Sequence, residues 1–281
     1  MTDSLASSPT KVPPPLRRSD KHTPFVESWQ IQLRIIGALL MRETLTRYGR
    51  HNIGFLWLFV EPMMFTLGVT VLWTMTKSEH GGSIPITAFA LTGYSSVLLW
   101  RNMPVRCISA LEPNRTLFFH RNVRMLDIFI ARLVLEFGGA TISFILLSLL
   151  FIAAGLLDPP EDLLKVIGGW FMLASFGVAL GLLLGALSIR YELVERLWHP
   201  ISYLTLPLSG AAYIVDALPE KVQSLALWLP MVNGIELMRE GYFGSYAKAH
   251  YDIPYMAACS AVMTLAALLQ LRLSARSIVA G

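Results

Sequence analysis

The sequence predicts an all-α polytopic membrane protein: an N-terminal interfacial amphipathic helix, six transmembrane helices, and an outer re-entrant helical hairpin before the last helix. Three observations lead there. The 281 residues are 54% hydrophobic and only 15% charged, with a positive mean hydropathy, a composition outside the soluble range. Six apolar stretches approach the roughly 20 residues that cross a hydrocarbon core. Lys and Arg crowd alternate connections, seventeen of the twenty-three on the side that holds the N-terminus. That bias predicts both termini in the cytosol.

Taken in order, residues 1–24 are polar and rich in proline, with no apolar run, so they are expected to be a disordered cytosolic tail and not a signal peptide. From Phe25 to Arg50 the apolar residues Trp29, Leu33, Ile36 and Leu40 share one helical face, and Arg42, Thr46 and Arg50 another. Such a helix, over 25–50, is expected to lie in the membrane surface. The remaining 51–281 form the membrane domain. Its spans are expected at Ile53–Met75, Ile84–Met103, Ile128–Leu157, Leu163–Ser188, Trp198–Leu218 and Tyr255–Leu273.

Several residues stand out against this apolar background. Glu61 sits inside the first expected span, where a charge costs on the order of 3 kcal/mol unless paired, hydrated or protonated. Pro62 beside it lacks an N–H and clashes with the carbonyl of residue 58, so a kink is expected there, facing either a bundle interior or a wet cavity. Arg132 and Glu136, four apart in the third span, are placed to neutralise one another or to reach neighbouring polar groups. Gly177, Gly181 and Gly185 share one face of the fourth span, a surface for close helix packing.

Two connections are unusual. Glu112 to Arg124 combines Glu112 and Pro113 at a helix start with apolar Leu117, Phe118 and Phe119, and reads either as a short helix that docks a partner or as a loop that only retains orientation. Between the last two spans, Val222–Val232 is too short to cross and too apolar for a solvated loop, and Asn233–Gly244 carries Glu236, Arg239 and Glu240 on one face. A re-entrant outer hairpin covered by protein is one reading, an interfacial pair of helices the other. The two cysteines, Cys107 and Cys259, do not suggest a disulfide framework.

The chemistry of an enzyme is not visible. No Gly-Lys dipeptide occurs, so there is no P-loop, and the six histidines are scattered without metal-ligand spacing. The net charge of +4 and pI near 9.1 are not organised into a nucleic-acid-binding module, so no nucleic acid is expected as a partner.

The run Arg42-Glu43, Thr46-Arg47-Tyr48-Gly49, Gly54-Phe55-Leu56-Trp57, Glu61-Pro62 resembles the membrane entry of the capsule polysaccharide export permeases, within the wider type 2 group of ABC exporters. The resemblance extends in layout over residues 25–281 and residue by residue only over that entry. It implies a homodimeric permease in the bacterial inner membrane that pairs with two copies of a separate P-loop ATPase, which binds the ATP and Mg, this chain holding no cofactor. It further implies periplasmic and outer-membrane export partners and a lipid-linked anionic polysaccharide as substrate. Permeases for O-antigen or teichoic acid share the layout, and a membrane enzyme acting on lipid-linked sugars or a scaffold are the readings from other classes.

On that resemblance, Arg42, Arg47, Arg50 and His51 are expected at the substrate entry, where arginine can grip phosphate through two parallel donors. Phe55, Trp57, Glu61, Tyr203 and Tyr213 are expected along the translocation pathway. The segment bearing Glu112, Arg115, Leu117, Phe118, Phe119 and Arg121 is expected to couple to the ATPase.

Overall fold

The computed structural model describes residues 25–48, 52–76, 85–110, 113–114, 123–244 and 248–280, the side chains at 25, 48, 52–55, 58 and 275–280 excepted. Among them nine α-helices run in order: α1 (Phe25–Tyr48), α2 (Asn52–Thr76), α3 (Ile86–Ile108), α4 (Met125–Ala153), α5 (Leu163–Ser188), α6 (Glu192–Leu208), α7 (Glu220–Leu227), α8 (Pro230–Phe243) and α9 (Ile253–Ala280). One 3-10 turn, Val215–Ala217, lies between α6 and α7. Four helices, α2, α4, α5 and α9, are long and apolar enough to cross a membrane.

The fold is built around α5, which packs against α3, α8 and α9. The glycines every four residues on α5 make this possible. A Cβ on Gly177 would lie 2.9 Å from the Trp100 Cα, one on Gly181 3.3 Å from the Met103 carbonyl, and one on Gly185 2.9 Å from the Cys107 Cβ. The expected packing face is therefore real, and its partner is α3, running beside α5 in the same direction. At the other end a Cβ on Gly169 would meet the Met238 nitrogen at 2.7 Å, and one on Gly241 the Val166 nitrogen at 2.6 Å, so α8 is drawn equally close.

The remaining helices pack around this core. Trp73 near the end of α2 meets Phe89 and Tyr94 near the start of α3, which makes the two antiparallel. Phe144 of α4 stacks on Trp170 of α5 at 4.7 Å, and Trp170 donates to the Thr141 hydroxyl at 2.9 Å.

The span expected at Ile84–Met103 corresponds to α3, which is not apolar enough to qualify by composition. The reason is that protein, and not lipid, surrounds it: Ala88 through Trp100 are all buried. Two of its hydroxyls are satisfied within the helix, Thr92 donating to the Ala88 carbonyl at 2.9 Å and Ser96 to the Thr92 carbonyl at 2.6 Å.

The span expected at Trp198–Leu218 begins and ends earlier, as α6 over 192–208. Its stop is set by Gly210, in the left-handed region at φ 87°, and by an arginine from α8 that takes the carbonyls beyond the helix end. The sequence does not say which carbonyls that distant arginine takes, and the apolar residues 211–217 extended the expectation past the true end.

Candidate functional site

The α1 end of the molecule holds a network of paired charges. Arg132 of α4 meets Glu43 of α1 at 2.8 Å through its Nε, and its Nη1 donates to both the Arg106 carbonyl at 2.7 Å and the Ser109 hydroxyl at 3.3 Å. Glu136, one turn on, accepts from Arg47 of α1 and, at 3.0 Å, from Arg106 of α3. Arg132 and Glu136 therefore do not pair with each other; each reaches across to another helix. Gln32 to Asp127 and Arg42 to Asn114 extend the network, the latter tying α1 to the connection after α3.

The α2 and α6 faces are the contrast. On α2 the residues Trp57, Glu61, Met64, Gly68, Leu72 and Met75 are exposed and follow helical spacing. Glu61 makes no hydrogen bond or ion pair with any described residue. The helix continues through Pro62 without ending. Ser143 of α4 donates to the Phe59 carbonyl at 2.6 Å, beside the break in the backbone ladder that Pro62 makes, and a cavity of about 10 Å³, the size of a single water, lies between Pro62, Thr66, Ser95 and Ser143. On α6 only Trp198 and Ser202 are buried, while Leu193, Leu197, Ile201, Tyr203, Leu204 and Leu208 are exposed.

At the opposite end, Arg239 of α8 is wholly buried and gathers the chain. Its guanidinium donates to the carbonyls of Gly210 and Tyr213 at 2.6 Å each and of Ala211 at 2.7 Å, and lies over the Phe89 ring at 4.1 Å. Asn233 spans the α7–α8 break, donating to the carbonyls of Leu227 and Leu229 and accepting from the Asp252 amide at 2.8 Å. In the connections outside the helices, a hydrogen bond from His250, helped by Lys248, holds Asp216 below the ordinary carboxylate range. The Tyr251 phenol donates to Glu240 at 2.7 Å, and that bond pushes its pKa up to about 12.

Of the residues expected at the substrate entry, Arg42 is engaged by Asn114 and Arg47 by Glu136, and Arg50 and His51 lie outside the described residues. Of the pathway residues, Trp57, Glu61 and Tyr203 are exposed, Tyr213 donates its hydroxyl to the Leu208 carbonyl at 2.8 Å, and the Phe55 side chain is outside the described residues. The segment bearing Glu112, Arg115, Leu117, Phe118, Phe119 and Arg121 also lies outside them; of that connection Pro113 and Asn114 form one helical turn. Sequence reading missed Arg101, Arg106 and Arg239 as individual actors. Arg239 alone carried a usable signal, an arginine within an apolar segment that must find acceptors.

Comparison with known proteins adds a second line. The family model of the ABC-2 type transporter matches residues 34–243. The chain is 42% identical over 243 residues, 86% of its length and 92% of the relative, to the capsule polysaccharide export inner-membrane protein CtrC of Neisseria meningitidis serogroup B. It is 40% identical over 250 residues, 89% and 94% of the two chains, to the capsule polysaccharide export inner-membrane protein BexB of Haemophilus influenzae. To the polysialic acid transport protein KpsM of Escherichia coli it is 26% identical over 229 residues, 82% and 89%.

Proposed function

The chain belongs to the ABC-2 type transporter family, and from that premise we propose that it is the inner-membrane permease subunit of an exporter of capsular polysaccharide. The observation that carries this reading is the 42% identity to an export protein of that name across 92% of its length. With it goes an α-helical, multi-pass architecture in which α3, less apolar than the long spans, is largely buried among the other helices.

The chain crosses the membrane six times, through α2, α3, α4, α5, α6 and α9. Supporting α3 as a crossing, its residues Trp100 to Cys107 run beside Gly177 to Gly185 of α5, itself long enough to span. The 17 residues of α6 reach roughly 25 Å, short for a full crossing, and the turn held by Arg239 completes it. The α7–α8 pair is the re-entrant element. Its support is the burial of α8 against α3, α5 and α9, and the Asn233 amide of α8, which takes the carbonyls of Leu227 and Leu229 at the α7–α8 break.

The functional unit is a homodimer with two copies of a P-loop ATPase, and glycan passes between the protomers along the exposed faces of α2 and α6. Trp57 and Tyr203 offer faces on which sugar rings slide, and Glu61 exchanges hydrogen bonds with hydroxyls. Arg42 and Arg47 contribute by holding α1 on the bundle, Arg47 through Glu136 of α4 and Arg42 through Asn114 in the connection expected to meet the ATPase. The chain supplies no nucleotide site; ATP and Mg belong to the partner, and periplasmic and outer-membrane export proteins take the polymer onward.

Co-purification with the P-loop ATPase, followed by ATP-dependent glycan uptake into inverted vesicles, tests the reading as a whole. Uptake that needs both chains and ATP is expected. A chain that processes a lipid-linked sugar alone, or a complex that hydrolyses ATP and moves no glycan, overturns it.

A further inference from the structure

Arg101 of α3 is unlike the other arginines. Trp100, its neighbour, lies against Gly177, near the middle of α5, so Arg101 sits at mid-depth and not in the connection beyond the helix. Its Nε is buried and without a hydrogen-bond partner. No carboxylate among the described residues pairs with it. Its guanidinium lies instead over the ring of Tyr203 on α6, 4.6 Å from the centroid, and that ring is two-thirds exposed on the outward face. Arg196, by contrast, is exposed near the start of α6 and paired with Glu192 at 3.2 Å.

A cation at this depth without a counter-ion is costly wherever lipid is the neighbour. Snorkelling would relieve the cost only if the guanidinium were free to extend toward the headgroups. Stacking on Tyr203 holds it at the α3–α6 seam, with its planar donors directed past an aromatic face. An aromatic platform beside an unpaired guanidinium has the donor set for a sugar ring that carries a phosphate or a carboxylate.

We propose that Arg101 and Tyr203 form an anion-reading subsite of the translocation surface, which binds the phosphate or carboxylate groups of the glycan as they pass mid-membrane. This rests on the permease reading above and extends it, because it names the residues on the translocation surface that read the anionic groups of the substrate. Arg101 supplies the two-donor grip, and Tyr203 both orients the guanidinium and packs on the sugar. Glu61, a further charge without an ionic partner among the described residues, lies on α2 at the level of Pro62, which faces Ser95 and Leu98 of α3, one to two turns from Arg101. In a dimer it is the rival partner for Arg101, and the test must separate the two.

The permease–ATPase complex in phosphatidylcholine nanodiscs is titrated with three probes: a neutral octyl disaccharide, its 6-phosphate, and its uronic-acid form. Arg101→Met is expected to weaken both anionic probes about tenfold, a loss of about 1.4 kcal/mol, with the neutral probe unchanged. Arg101→Lys is expected to recover part of that loss, since a point charge attracts without the paired donors. Unchanged anionic binding in Arg101→Met overturns the proposal, and an equal loss for the neutral probe assigns Arg101 to structure alone. Restoration of glycan export by the double variant Arg101→Glu with Glu61→Arg overturns it in favour of an ion pair between protomers. Displacement of the probes by phosphatidylglycerol in the nanodisc overturns it in favour of a headgroup site. A wild-type complex that moves no glycan with ATP would instead sink the permease reading, so the two failures are distinguishable.

Discussion

Two of the regions that carry charge inside this apolar protein, the α1 end and the outward α2–α6 side, treat it oppositely. At the α1 end Glu43 is matched with Arg132, and Glu136 with both Arg47 and Arg106, while buried Asp127 accepts from the Gln32 amide and the Arg124 backbone. On the outward α2–α6 side, Glu61 and Arg101 have no ionic partner among the described residues, and only Tyr203 answers Arg101. Charges that fold the chain are satisfied within it. Charges left over at membrane depth wait for something the single chain does not contain, whether substrate or second copy.

The sharpest way to break this comparison is to unbalance the matched side. Glu136→Ala leaves Arg47 and Arg106 facing each other without a carboxylate, and is expected to cost about 3–5 kcal/mol, seen as loss of folded protein in a thermal-stability assay in detergent. Arg47→Ala is expected to cost less, because Arg106 still answers Glu136, and its export defect should follow the fall in folded protein. A normally stable Arg47→Ala that fails to export would favour a direct role for Arg47 at the substrate entry.

A glycine pair tests the same contrast in packing. Gly177→Ala drives a methyl into the Trp100 backbone and is expected to destabilise by about 1–3 kcal/mol. Gly68→Ala, on the exposed α2 face with nothing within 4 Å, should match or exceed wild-type stability. Lost export in Gly68→Ala with stability intact would show that a second copy or the glycan passes close to that face.

On the unmatched side, Glu61 substitutions should leave stability within about 0.5 kcal/mol of wild type, as expected of a side chain without partners. Export should fall more in Glu61→Ala than in Glu61→Gln, which keeps hydrogen bonding. Equal, normal export by both would remove Glu61 from the pathway.

The smallest expected effect is a pH dependence in the connection before α9. The Tyr251 phenol is raised by its bond to Glu240, so its contribution is fully present below the ordinary tyrosine pKa near 10 and is lost as pH rises through about 12. Absorbance titration of phenolate formation should show one late tyrosine, and Glu240→Gln should bring it back toward the others.

Much of the architecture was legible because it follows from local pattern. The α4, α5 and α9 spans are continuous apolar runs, and α8 begins at Pro230, where proline suits the first helical position. The α5 glycines announced a close neighbour through their spacing alone. What the pattern could not name was the neighbour, because Trp100 of α3 is 77 residues from Gly177 in sequence, and the few polar residues of α3 describe a helix shielded by protein. The two ions in α4 were legible as needing partners; that these were Glu43, Arg47 and Arg106 depends on how α1 and α3 lie across α4. For the entry residues the same gap ran the other way: Arg42 and Arg47 look free in the sequence and are held in the fold.

By itself, then, the sequence determined the membrane class, the helical periodicities and the family-specific entry motif, all of which are properties of neighbouring residues. Only the tertiary structure decided which charges are matched. An ion's counter-ion comes from whatever helix packs opposite, and in a bundle that helix is set by the shape of distant faces such as Gly177, Gly181 and Gly185. Those contacts bury Glu136 among arginines and leave Glu61 and Arg101 unanswered.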